Sequence, residues 1–205
     1  MKDREDLLSL CRKPHLPKES LPYADKKASA HKYLQKVKVQ QDDVFYIPAG
    51  TVHGIGAGNL IVEVQESSNL TYRLYDYDRV DKAGQKRELH LEKALAVADL
   101  KGKAAPRQPL RVLRYTPGSA TEFLCRCKYF QVERLLLNTE GKSKLAELYT
   151  GSSSFQALLC LDGEGYILTE DKEKLAYSKG NCIFIPANTG KLQLCGRSQF
   201  LKISC

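Results

Sequence analysis

Residues 42–78 read DDVFYIPAGTVHGIGAGNLIVEVQESSNLTYRLYDYD, and their pattern decides the fold. The apolar run Val44–Ile47 leads into Pro48-Ala49-Gly50, and glycines follow at 54, 56 and 58. Glycine tolerates positive φ, so this is turn chemistry between strands. Leu60 to Gln65 alternates as a strand, and Thr71 to Tyr75, rich in Tyr and Thr, reads as another. On these strands sit His53, Glu63, Glu66 and Arg73. Such a density of polar chemistry is unusual for half-buried strands. The ten-residue separation of Glu63 and Arg73 fits opposite strands of one hairpin facing one cavity.

Upstream of this stretch, Asp3 to Cys11 reads as a short helix with Asp3 as N-cap. Pro14 to Lys27, with prolines at 14, 17 and 22, reads as a loop. A brief helical or extended piece at His31 to Gln35 comes next, and Val37 and Val39 lead as a strand into the QQDD turn. Downstream, Leu91, Ala94, Leu95 and Ala98 fall at helical spacing within Arg87 to Leu100. KGKAAPRQP, Lys101 to Pro109, is basic, small and proline-containing, as a linker is. Short β-type runs then follow at Leu110–Tyr115, Phe123–Leu137, Phe155–Leu161, Gly165–Leu168, Asn181–Ile185, Leu192–Leu194 and Phe200–Ile203. Many short strands with few helices make the chain mainly β, a sandwich or open barrel. DDVFYIPAGTVH and KGNCIFIPANTG share one outline of turn, strand and Ile-Pro-Ala, which suggests two copies of one fold.

Composition narrows the function classes. The 205 residues carry 32 Lys+Arg against 24 Asp+Glu, a net charge of +8 that suits an anionic ligand. The basic residues are scattered, as on a solvated surface, and no nucleic-acid motif organises them. Seven cysteines, an odd number, argue for reduced thiols in a cytoplasmic protein. Cys125 and Cys127, two apart, read as small buried hydrophobes because no second pair follows at zinc-finger spacing. No run reaches the ~18 apolar residues of a membrane span, and MKDREDLLSL has acids where a secretion signal is apolar. Neither nucleic acid nor membrane is expected as a partner.

The chemistry has two readings. A neutral imidazole at His53 suits a divalent metal, while a lone strand histidine is also commonly a packed, hydrogen-bonded residue. Glu63 could move a proton or bind a sugar hydroxyl, and Arg73 could hold a phosphate or an enediolate oxygen through paired N–H donors. The alternative for these two is a buried ion pair that only fixes the hairpin.

Pro48-x-Gly50-x-x-His53 resembles the second motif of the cupin superfamily. The longer run FYIPAGTVHGIGAGNLIVEVQESSNLTYRLYDYDRVD, followed by KRELHLEKAL, resembles the short bacterial form of the type I mannose-6-phosphate isomerase family. The resemblance is strongest from Val37 to Ala98 and continues weakly to Cys205. It implies two cupin-like β-sandwich or barrel units, the first incomplete, joined by a helical linker. The expected division is a partial catalytic domain at 1–100, a linker at 101–109 and a C-terminal cupin-like domain at 110–205. It further implies zinc-dependent interconversion of mannose 6-phosphate and fructose 6-phosphate, with a hexose 6-phosphate as ligand. Under it, His53 is a zinc ligand, Arg73 the active-site arginine, and Glu63 the acid ten positions before it. Tyr75, Asp76, Tyr77, Asp78 and Arg79 match a family signature without individual roles.

The family's remaining zinc ligands lie in an earlier segment that this sequence does not show, since His15 and His31 lack its spacing. The expectation is therefore an isomerase-family chain without its N-terminal half, active when a separate N-terminal fragment supplies the missing ligands. The alternatives are a non-catalytic cupin that binds a sugar phosphate or a protein, and an inactive remnant. The second unit is read as a packing domain, because residues 180–194 keep the motif outline without a histidine.

Overall fold

A computed structural model describes residues 7–11, 34–77, 79–100, 112–141 and 145–205, the first of these as backbone. The chain divides into two compact units, Met1–Arg107 and Gln108–Cys205.

In the first unit, β1 (Leu7–Cys11) pairs antiparallel with both β2 (Leu34–Lys38) and β3 (His53–Ile55). The expected helix over Asp3 to Cys11 is thus corrected: its second half is the central strand of a small sheet. LLSLC is apolar except at Ser9, and two strands distant in sequence capture it, which outweighs local helix propensity. Val37 is buried, and Val39, Phe45 and Ile47 pack against it. The chain at 44–47 therefore packs as expected but joins no ladder, and neither do 60–65 and 71–75. A strand exists only where a neighbouring strand takes its N–H and C=O groups in a ladder, and these segments have no ladder partner among the described residues. The first unit's described residues accordingly form three short strands, a helix and extended coil, not a barrel.

The helix α1 spans Leu91–Val97, shorter than the sequence suggested. Ala94 is its buried residue, and Glu92 sits favourably at the positive end of the helix dipole. Just past the helix, Asp99 N–H donates to the Gly50 carbonyl at 2.8 Å, tying the Pro-Ala-Gly turn down. Gly50 has φ +85°, and a Cβ there would stand 2.8 Å from the Val97 carbonyl oxygen. Only glycine fits that corner. The linker expected at 101–109 lies outside the described residues.

The second unit is built from β4 (Leu113–Thr116), β5 (Ser119–Arg126), β6 (Gln131–Asn138), β7 (Ala146–Thr150), β8 (Gln156–Leu168), β9 (Lys174–Ser178), β10 (Cys182–Ile185) and β11 (Gly190–Ser204). They form one antiparallel sheet in the order β10-β8-β11-β6-β5-β4, with β7 added on β11 and β9 on β8. The sheet does not close, since β10 and β4 are its ends. β11 is the organising strand: it pairs with β7, β8 and β6 in turn. Bulges at Leu124 and Leu161 shift the registers of β5–β6 and β8–β11, adding the bend a curled sheet needs.

Inside, Leu135, Leu137, Ala146, Leu148, Leu158, Cys160, Ile167, Tyr177, Ile185, Leu192, Leu194 and Phe200 form one apolar cluster. Phe200 and Leu158 are wholly buried, and Tyr177 packs edge-on against Phe200 with ring centres 4.9 Å apart. This interior is a packed core. The other face of β5 and β6 is buried as well and carries the ion pair of Arg134 with Glu122 at 2.8 Å. Cys125 and Cys127 are half-buried rather than buried, and Cys127 lies past the end of β5. Burial pushes the thiols of Cys125 and Cys160 up, which leaves them protonated and inert at neutral pH. No described helix is long and apolar enough to cross a membrane.

Candidate functional site

His53 opens β3, opposite Leu10 of β1, and its side chain is exposed. Its Nδ1 lies 2.9 Å from the Thr51 carbonyl oxygen. A carbonyl can only accept, so Nδ1 carries the proton and Nε2 presents a lone pair. That tautomer is the one a metal-ligating histidine needs. Glu63 is exposed on the coil at 59–66, outside any ladder. No hydrogen bond or ion pair joins His53, Glu63 and Arg73 to one another. Among the described residues, no group of three His, Cys, Asp or Glu side chains is arranged to hold a metal ion.

Arg73 is placed far more firmly. Its backbone N–H donates to His90 Nδ1 at 3.2 Å, and its carbonyl accepts from His90 N–H at 2.8 Å. Its guanidinium Nη1 donates to the Glu88 carbonyl at 3.2 Å. The segment just before α1 thus clamps Arg73 from the backbone outward.

Beside it stands Asp76, which the sequence marked only as part of the Tyr75–Arg79 signature, without a role of its own. Asp76 is only 6% exposed, and three arginines converge on its carboxylate. Arg87 binds both oxygens, with Nε to Oδ2 at 2.7 Å and Nη2 to Oδ1. Arg79 donates from Nη2 to Oδ1 at 3.0 Å, and Nε of Arg73 lies 3.9 Å from the same oxygen. A tight turn makes this convergence. Val80 and Lys86 form a bridge, and Oδ1 of Asp81 accepts from the N–H groups of Ala83 and Gln85 at 2.8 and 2.9 Å. Arg79 and Arg87 are the flanking residues of that bridge, so they emerge side by side. The acidic turn residue followed by Gly84 was the available signal, but only the folded hairpin shows where its arginines go.

The same segment reaches towards the His53 turn. Tyr77 adopts φ +54°, rare for a bulky residue, and its ring stacks obliquely on Tyr75 at 5.1 Å. Its hydroxyl comes so near Gly54 that a Cβ there would stand 3.1 Å away. The guanidinium of Arg79 lies over the Tyr77 ring at 5.6 Å. His53 and the arginine cluster therefore flank one short piece of chain.

The hydrogen bond from Arg87 holds the Asp76 carboxyl below the usual carboxylate range; burial opposes it, and the charges of Arg79, Arg87 and Arg73 add to it. The sign for stability follows. A carboxyl with a depressed folded pKa stabilises above its unfolded value, about 3.9, and that stabilisation fades as pH falls through the folded value. The expected result is that urea midpoints of wild type and Asp76→Asn differ most at pH 6–7 and draw together as pH falls below the ordinary carboxylate range. A difference that stayed constant from pH 7 down to pH 2 would sink this account.

Comparison with known proteins follows the fold closely. Residues 119–204, from the first residue of β5 to the last of β11, match the family described as mannose-6-phosphate isomerase, cupin domain. The chain is 33% identical over 182 residues to the mannose-6-phosphate isomerase ManA of Bacillus subtilis, covering 89% of this chain and 55% of that protein. It is 35% identical over 153 residues to the mannose-6-phosphate isomerase of Streptococcus mutans, covering 75% of this chain and 45% of the relative. The crystal structure of the mannose 6-phosphate isomerase from Bacillus subtilis superposes with a TM-score of 0.83 at 26% identity, over 99% of this chain and 61% of that one. The chain spans about half the length of the curated relatives it matches. Sequence and fold agree: the chain belongs to the cupin-type mannose-6-phosphate isomerase family, in its short form.

Proposed function

We propose that the chain serves the interconversion of mannose 6-phosphate and fructose 6-phosphate, and that the first unit carries its chemistry. The observation that carries this reading is the Arg73 guanidinium, bonded to the Glu88 carbonyl on a backbone held by His90, within a cluster of three arginines around one carboxylate. Such a cluster keeps a net positive charge and suits a phosphorylated sugar. The reaction moves a carbonyl between C1 and C2, so a base must take a proton from one carbon and return it to the other. Arg73 would stabilise the negative oxygen that develops in between, and Glu63 would handle the proton.

Zinc is part of the proposal through one residue. His53 has the right tautomer to be a ligand, but zinc takes three or four, and the described residues do not make up that set. They do not fit the ion unaided, so no step is derived through it.

The further ligands would come from a second polypeptide. Leu60 is 99% exposed, and Ile61 and Val62 are each about half exposed, on an alternating run without a ladder. An apolar strand pattern left uncovered is a place for another strand to add. A cytoplasmic location belongs to the same proposal, with the described cysteines present as free thiols.

The test mixes the purified chain with the part of the Bacillus subtilis isomerase that lies outside the matched stretch. The expected result is no turnover and no tightly held zinc for the chain alone, and both for the mixture. Binding of mannose 6-phosphate that survives chelator, with no turnover in any mixture, would replace this reading by that of a non-catalytic sugar-phosphate binder. No binding and no turnover under any condition would make the chain an inactive remnant.

A further inference from the structure

The Asp76 cluster is more than a staple. Its carboxylate is almost wholly buried, with a side chain 7% exposed, whereas Arg79 and Arg87 are 62% and 49% exposed. The two outer arginines spend their donors on Asp76: Arg87 through a two-point grip, and Arg79 through Nη2 together with Nε to the Asp76 carbonyl at 3.3 Å. Arg73 differs. Its Nε stands 3.9 Å from Oδ1, beyond hydrogen-bond length, and Nη1 takes the Glu88 carbonyl. Nη2 of Arg73 has no hydrogen-bond partner among the described residues. Arg73 thus faces the shared carboxylate as an ion pair without a hydrogen bond, whereas Arg79 and Arg87 each bond Asp76 through Nε and Nη2.

Electrostatics makes the shared carboxylate necessary. Three like charges meeting at one point repel one another, and at short range inside protein that repulsion is only partly screened. Asp76 lowers the cluster's charge by one and gives all three guanidiniums a common point to face. Arg87 fixes Asp76 because a two-point guanidinium–carboxylate pair sets angle as well as distance.

We propose that Asp76 is a positioning residue: held by Arg87 and Arg79, it fixes the Arg73 guanidinium in the orientation that meets the substrate's anionic group. This rests on the reading of Arg73 given above, but the hold of Asp76 on Arg73 can be measured without any ligand.

The test reads the arginine Nε–H signals of the full-length chain by 15N NMR, together with calorimetric titration of mannose 6-phosphate. In Asp76→Asn, the Arg73 side chain is expected to lose order, read as an Nε–H heteronuclear NOE well below the wild-type value. Affinity for mannose 6-phosphate should fall at least 10-fold, while amide signals of the second unit stay in place. Asp76→Glu, which restores the charge, should recover part of both losses. A carboxylate that merely stapled the chain would lower the melting temperature of Asp76→Asn and leave the Arg73 signal and the affinity unchanged within 2-fold. That result would overturn the proposal.

Should Asp76→Asn unfold the first unit, Arg87→Lys serves instead, because it keeps the charge and loses only the two-point grip. A lower Arg73 Nε–H heteronuclear NOE in that variant supports the proposal, and an unchanged one overturns it. If wild type and Arg73→Ala bind mannose 6-phosphate equally, or both fail to bind, the reading of Arg73 as the substrate's partner falls. The Nε–H comparison then still decides whether Asp76 holds Arg73.

Discussion

Replacing Gly165 by valine should abolish the folded second unit under conditions where the wild type is intact. Gly165 lies in β8 directly opposite Gly196 of β11, and its other neighbour across the ladder is Tyr177 of β9. A Cβ at 165 would collide with the Cys195 carbonyl oxygen and stand 2.8 Å from Cζ of Tyr177. Neither obstacle can withdraw. The carbonyl is backbone in the central strand, and the Tyr177 hydroxyl is fixed by the Cys195 carbonyl at 3.1 Å and Ser198 Oγ at 2.9 Å. Forced overpacking of this kind costs at least ~3 kcal/mol, a large share of a small unit's stability. Gly180→Ala is the control. Gly180, unlike Gly165, has positive φ, but nothing lies within 4 Å of an added Cβ, so it should lose only about 1 kcal/mol through backbone strain. Urea unfolding followed by circular dichroism compares the two. Equal midpoints would show that the close approach of β8 and β11 does not matter.

Arg73→Ala should remove mannose 6-phosphate binding while leaving the chain folded. The fold survives because Arg73 is tied to His90 through its backbone N–H and C=O, which alanine keeps. What goes is the charge-assisted pairing of the guanidinium, ~1.5–3 kcal/mol, or roughly 10- to 150-fold in affinity. Arg73→Lys keeps the charge but not the planar fork, so it should fall between wild type and alanine. Titration calorimetry against mannose 6-phosphate, at matched melting temperature, reads both. An affinity within 2-fold of wild type in Arg73→Ala would remove the arginine from the site.

The second unit was largely legible because its strands carry their own pattern. On β5, Ala120, Glu122 and Leu124 alternate as buried positions, and β6 supplies the apolar neighbours. Two strands escaped. β7 is only five residues long and follows a lysine-rich turn, and on β9 Tyr177 alone is buried, so no apolar period announces it. β8 and β11 were each read as two short runs, 155–161 with 165–168 and 192–194 with 200–203, and Gly163, Gly165 and Gly196 lie in or beside the gaps. Those glycines instead let long strands run close together. In the first unit the patterned segments at 44–47, 60–65 and 71–75 were read as strands, but a pattern cannot supply the missing neighbour. Arg73 could be singled out from its motif. Its relation to Asp76 and Arg87 could not, because eleven residues and a turn separate the carboxylate from its main partner.

The place of β11 in the sheet has a consequence for biosynthesis. Every other strand of the unit leaves the ribosome before it, yet β6, β7 and β8 all take their ladder partners from it. Until residues 190–204 emerge, Leu135, Leu148 and Leu158 have no closed interior to enter, and nascent chains carry those leucines in the open. A stalled or clipped product ending before residue 190 would therefore be a client for chaperones and a seed for inclusion bodies, however sound its remaining sequence.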